Sequence, residues 1–202
     1  SVALHLGLAS SFVFILLWQY FKMRQIEGAN WPMMFAPLKF KRSELKRVMI
    51  LTGAIFLLLI LGAWVSSSAN GNQGCSVGFP DGWPKCQGDI FPSLDGSGIL
   101  VQMVHRLGAG IVGIALIMGG MKIREKATET NAHHGFAKCM DLATGFWLLN
   151  VLVGGMYVVF AKMGDFPESL SLLHLIIGVA SFFSASIGLI LLQLSNEGGE
   201  DE

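Results

Sequence analysis

Five stretches of this sequence, 3–21, 48–66, 99–121, 140–161 and 170–194, are continuously apolar. Each is about long enough to cross a hydrocarbon core of ~30 Å at 1.5 Å per residue. In lipid every backbone N–H and C=O must be satisfied within the protein, which leaves helices and closed barrels as spanning structures. The apolar runs are continuous rather than alternating, so barrel strands do not fit. With 52% hydrophobic and 14% charged residues and a mean hydropathy of +0.57, the chain has too little polar surface for a soluble domain. The expected fold is an all-α membrane protein with five transmembrane helices.

Lysine and arginine set the orientation. Lys22, Arg24, Lys39, Lys41, Arg42, Lys46 and Arg47 lie between the first two spans, and Lys122, Arg124, Lys126 and Lys138 follow the third. Both segments are expected to be cytoplasmic. The other side keeps Lys85 and Lys162, with Arg106 inside the third span. The acidic tail 195–202 falls on the inside and weighs little in this rule.

That topology brings His105 and His174 to one depth. His105 lies about six residues into its span from the outer face and His174 about four, which puts both roughly 6–10 Å below the boundary. An ionisable side chain in hydrocarbon costs several kcal/mol and marks a site of function by default. The two helices run the same way and are separated by one returning helix, so a four-helix bundle spanning 48–194 can set the histidines across a diagonal with a flat macrocycle between them. A pair at matched height is the pattern of two axial ligands to a haem iron. Gly108 and Ala109, with Val112, follow His105 on one face, and Ile177, Gly178 and Ser181 follow His174. Small residues there would let a porphyrin approach the backbone. Arg106 is placed to pair with a haem propionate.

The chain contains an internal echo. Leu4-His5-Leu6-Gly7 opens the first span much as Leu173-His174-Leu175 opens the last. If 48–194 is one haem-binding bundle closed by such a helix, segment 1–22 reads as the closing helix of a preceding half, joined through a basic linker, 23–47. The chain starts at Ser1 already inside an apolar helix, so it is expected to be part of a longer polypeptide. His5 would then be the axial ligand of a second haem iron, with its partner on the preceding half.

The outer loop, 67–98, is rich in glycine and proline and carries Cys75 and Cys86. A disulfide between them would stabilise by roughly 2–3 kcal/mol. Such a pair can be a structural brace or a redox-active couple, and a zinc site has too few ligands nearby. Cys139 reads as a buried filler, and His133 and His134 as a solvated pair. Asn150 and Tyr157 are placed to bond across helices.

The order of these elements, with Trp83-Pro84-Lys85-Cys86 in the loop, then Gln102-Met103-Val104-His105-Arg106, then a Leu-His-Leu helix, resembles the haem A synthases over nearly the whole chain. The resemblance implies eight helices in two halves, with this chain supplying the last helix of the first half and the whole second half. It places His105 and His174 on a haem b and His5 in the catalytic site, where a methyl of haem o is oxidised to the formyl of haem A for cytochrome oxidase biogenesis. The catalytic half of that family carries a glutamate three residues before its His-Arg histidine. Gln102 stands there in this chain and cannot act as an ionised acid or base, so this unit resembles the cofactor half.

The resemblance also implies a bacterial plasma membrane, or a mitochondrial inner membrane, with loop 67–98 on the non-cytoplasmic side. Its partners are then the lipid bilayer, haem and the remaining half, and among proteins haem o synthase, respiratory-complex subunits or a second copy. Nothing in the sequence points to nucleic acid. The competing reading is a non-catalytic cytochrome b, an electron-transfer subunit of a respiratory complex.

Overall fold

The structure, a computed structural model, describes residues 2–28, 42–68, 71–129 and 135–197. It contains five helices: α1 (Val2–Ile26), α2 (Arg42–Ser67), α3 (Ser97–Glu129), α4 (Gly135–Val159) and α5 (Glu168–Glu197). All five are long and apolar enough to cross a membrane. No strand occurs among the described residues beyond two isolated backbone bridges in loops, Cys86 with Asp89 and Lys162 with Asp165. The middle of the basic linker (29–41), the pair His133 and His134 and the tail from 198 onward lie outside the described residues.

The helices run past the apolar stretches that nucleate them. α1 continues through Lys22 and Arg24 to Ile26, α2 starts at Arg42, and α3 runs on through Lys122, Arg124 and Glu125. Adding a residue to a formed helix gains a backbone hydrogen bond without a new nucleation cost, so helices outlast the hydrocarbon wherever charged side chains can reach water. Arg124 uses that region to bond Asp141 of α4 at 2.9 Å, tying two helices at the basic end.

Helices α2, α3, α4 and α5 pack in a ring, each against the next and α5 back against α2, which leaves α3 and α5 diagonally opposite. The most extensive contact is between α4 and α5, and α1 lies outside the ring against α2 and α5. Lipid tails are as apolar as leucine, so close approach and interhelical hydrogen bonds hold such a bundle. Ile55, Leu58, Val112, Leu116, Trp147 and Phe182 fill its core. Trp147 Nε1 donates to the Ala109 carbonyl at 3.0 Å, and Ser181 Oγ to the Ala143 carbonyl at 2.8 Å. Cys139 is buried with Phe21, Ile190, Leu191 and Leu194 where α1, α4 and α5 meet, as a small apolar filler would be.

The α2–α3 loop is a closed unit. Cys75 and Cys86 form a disulfide and are each 1% exposed, packed on Met103 and Ile99. Gly74 faces the backbone of Gly98 so closely that any side chain would collide with it. The loop thereby folds back on the start of α3.

Candidate functional site

His105 sits in the third turn of α3 and His174 in the second turn of α5, and both helices enter from the disulfide end. Equal depth on diagonal helices brings the rings together, with centroids 6.4 Å apart and planes at 74°. His174 Nδ1 lies 2.9 Å from the backbone carbonyl of Asn150 on α4. A carbonyl only accepts, so Nδ1 carries the proton and Nε2 holds a free lone pair. His105 Nδ1 is buried and has no hydrogen-bond partner.

The other diagonal supplies space. A Cβ on Gly62 of α2 would stand 3.0 Å from Cε1 of His105, and one on Gly154 of α4 would stand 2.8 Å from Cε1 of His174. Two imidazoles and two bare stretches of helix backbone therefore share one layer of the bundle. Toward the basic end this layer rests on the packed core around Leu58, Val112 and Trp147.

Toward the disulfide end stands the loop. Arg106 Nη1 donates to the carbonyls of Gly82 and Lys85, both at 2.9 Å, and Nη2 to Gln102 Oε1 at 3.1 Å. Gln102 Nε2 donates to the Gly71 carbonyl at 2.7 Å. Gln102 and Arg106, one helical turn apart on α3, thus staple both arms of the loop beside His105. Trp83 packs on α4, its Cε2 lying 2.9 Å from where a Cβ of Gly155 would be.

The structure turns the small residues next to the histidines elsewhere. Gly108 faces Leu58, with a Cβ reaching 2.8 Å from Cδ2. The Ala109 carbonyl receives Trp147. Gly178 faces Leu59 and the Asn150 side-chain amide, both at 3.1 Å. The glycines against the imidazoles are Gly62 and Gly154, which sequence reasoning missed, as it missed the Asn150 carbonyl; Trp83 is read there only as part of the loop motif, with no place at the site. Tyr157 stacks on Phe166 at 5.3 Å. His5 is exposed on α1, apart from the pair. Its depth is similar, because Gly7 abuts Ile60, half a turn from Gly62 on the antiparallel α2.

Among the described residues no group of three or more His, Cys, Asp or Glu could hold a metal ion. A bare zinc ion takes three or four protein ligands. A lone histidine pair instead suits a metal whose other positions are already filled by a macrocycle.

These features define a multi-pass, all-helical integral membrane protein with a histidine pair at matched depth between diagonal helices. The COX15-CtaA family, described as cytochrome oxidase assembly protein, matches residues 1–186, and the chain belongs to that family. It is 31% identical over 134 residues to the haem A synthase of Symbiobacterium thermophilum, covering 64% of this chain and 39% of that protein. With the haem A synthase of Alkalihalophilus pseudofirmus it shares 25% identity over 161 residues, 79% of this chain and 49% of the relative. With that of Shouchella clausii it shares 36% over 75 residues, 37% of this chain and 23% of the relative. The chain thus spans about half or less of the length of these relatives. No solved structure matches it.

Proposed function

We propose that this chain is part of a haem A synthase, an oxidoreductase that converts a methyl group of haem o into the formyl group of haem A for cytochrome oxidase, and that this portion holds a bis-histidine haem b. The observation that carries the reading is the His105–His174 pair. The ring centroids stand 6.4 Å apart, and with a metal–nitrogen bond of about 2 Å that separation leaves room for one metal ion between the imidazoles.

The residues present fit the group. His174 Nδ1 is committed to the Asn150 carbonyl, which leaves Nε2 for iron and fixes the ring. Gly62 and Gly154 keep the flanking backbone clear of side chains. The haem, when bound, supplies the one-electron chemistry of its iron. The protein's part would be to present two neutral imidazoles to the iron, His174 oriented by the Asn150 carbonyl, with the disulfide loop standing over the outer end of the layer. Pairing of Arg106 with a propionate belongs to the same proposal. The loop and Gln102 take three guanidinium N–H bonds, so a propionate would draw on the remaining two of five donors.

His5 is proposed as the ligand of a second haem, the one oxidised. Its exposure on the outer face of α1 at the depth of the pair supports this, since an ionisable residue facing hydrocarbon is costly without a partner. The charge bias of the segments between spans supports a loop on the non-cytoplasmic side of a bacterial plasma or mitochondrial inner membrane. A pyridine haemochrome spectrum of the purified protein, with its chain mass, tests the reading. Protohaem is expected, and a haem-free protein would overturn it.

A further inference from the structure

We infer that Trp83 is a lid over the histidine site and that Arg106 is the positioning residue that latches it; the inference rests on the haem-binding reading above. Consecutive glycines of α4 carry the argument. Gly154 receives the imidazole of His174, and Gly155 receives the indole of Trp83, whose Cε2, Cδ2 and Cζ2 lie 2.9–3.1 Å from where its Cβ would be. Without side chains at these two positions, imidazole and indole lie against neighbouring stretches of one helix.

Trp83 belongs to the loop, and the loop is fastened on either side of it. The two carbonyls bonded by Arg106 Nη1 are those of Gly82 and Lys85, which bracket Trp83 in sequence. Gly82 is itself wedged against the backbone of Ser76 and Val77, which leaves no room for a side chain, so the latch point is fixed from both directions. The Gly78 N–H bonds the Val158 carbonyl at 3.1 Å, holding the same loop on the end of α4. Arg106 is the neighbour of His105, so the α3 turn that carries one imidazole also carries the latch. The core lies beneath the layer toward the basic end, and the half-buried indole stands one residue nearer the disulfide end, against Gly155.

A cover of this kind sets how much water reaches a bound haem and hence its reduction potential. The test uses the holoprotein with Trp83→Ala, Trp83→Phe, Arg106→Gln and the double variant Arg106→Gln/Trp83→Ala. Three readouts are taken: the optical spectrum, the equilibrium midpoint potential and amide hydrogen exchange across residues 76–89. Trp83→Ala is expected to keep a low-spin spectrum while shifting the reduction equilibrium about tenfold toward the ferric form, about 59 mV for one electron. Trp83→Phe recovers most of that shift. Arg106→Gln speeds exchange across residues 76–89, and the latch is read there because a guanidinium paired with a propionate also acts on the potential directly; the double variant exchanges no faster than Arg106→Gln alone.

An unchanged potential in Trp83→Ala overturns the lid. Unchanged exchange across residues 76–89 in Arg106→Gln, or additive gains in exchange in the double variant, overturns the latch acting through Trp83. Absence of a low-spin haem from the unaltered protein overturns the haem reading itself, a failure distinct from either.

Discussion

Gly154 and His174 meet closely enough that a methyl group between them would lie 2.8 Å from the imidazole Cε1. Neither helix backbone can retreat without opening the α4–α5 contact, so the ring would have to move. Gly154→Ala is expected to weaken haem retention roughly tenfold, the lower end of what loss of ligand orientation costs at metal sites. Gly62→Ala, at 3.0 Å from His105, should act in the same direction but less. Gly145→Ala faces open space and serves as the control. Haem content per chain after purification reads all three, and equal retention in Gly154→Ala and Gly145→Ala would contradict the steric argument.

The bond that orients His174 runs to a main-chain oxygen. Asn150→Ala removes the side chain but keeps that acceptor, so the low-spin spectrum should survive. A lost spectrum would show that the amide, whose Oδ1 has no hydrogen-bond partner, matters more than the carbonyl.

The disulfide is buried at both ends, with each cysteine 1% exposed. Thiol exchange needs access of an attacking thiolate, so burial favours the brace over the redox couple. Cys75→Ser, Cys86→Ser and the double variant should each lower stability by roughly 2–3 kcal/mol and loosen the loop in hydrogen exchange. On the proposed reading, haem A yield of the full-length protein, normalised to folded protein, is expected not to change. A collapse in yield with the loop still ordered would point to redox chemistry.

Trp147 ties α4 to α3 beneath the histidine layer. Trp147→Phe forfeits one hydrogen bond, about 1 kcal/mol, whereas Trp147→Ala leaves a cavity costing about 3–5 kcal/mol. Thermal unfolding in detergent should rank the two in that order, and similar midpoints would mean that the indole is not packed as described.

The spans were legible because apolar length is a one-dimensional property: a run such as 170–194 needs no partner to declare itself. That His105 and His174 come level also follows from the order of the helices and the ends from which they enter. What a sequence does not carry is each helix's rotation about its axis. Gly108 and Gly178 lie one turn from the histidines in sequence, yet the packing of α2 turns them toward Leu58 and Leu59. Gly62 and Gly154 lie on the facing helices, where nothing in their own neighbourhood distinguishes them among 25 glycines. Arg106 was legible as a charge needing a partner. Its carbonyl partners were not, because loop backbone positions depend on the folded turn and the disulfide together.

The central claim is that His105 and His174 ligate one iron. Electron paramagnetic resonance of the ferric holoprotein, beside His105→Ala and His174→Ala, tests it most directly. The account predicts a low-spin signal that either substitution abolishes, and a signal unaltered in both variants would contradict it.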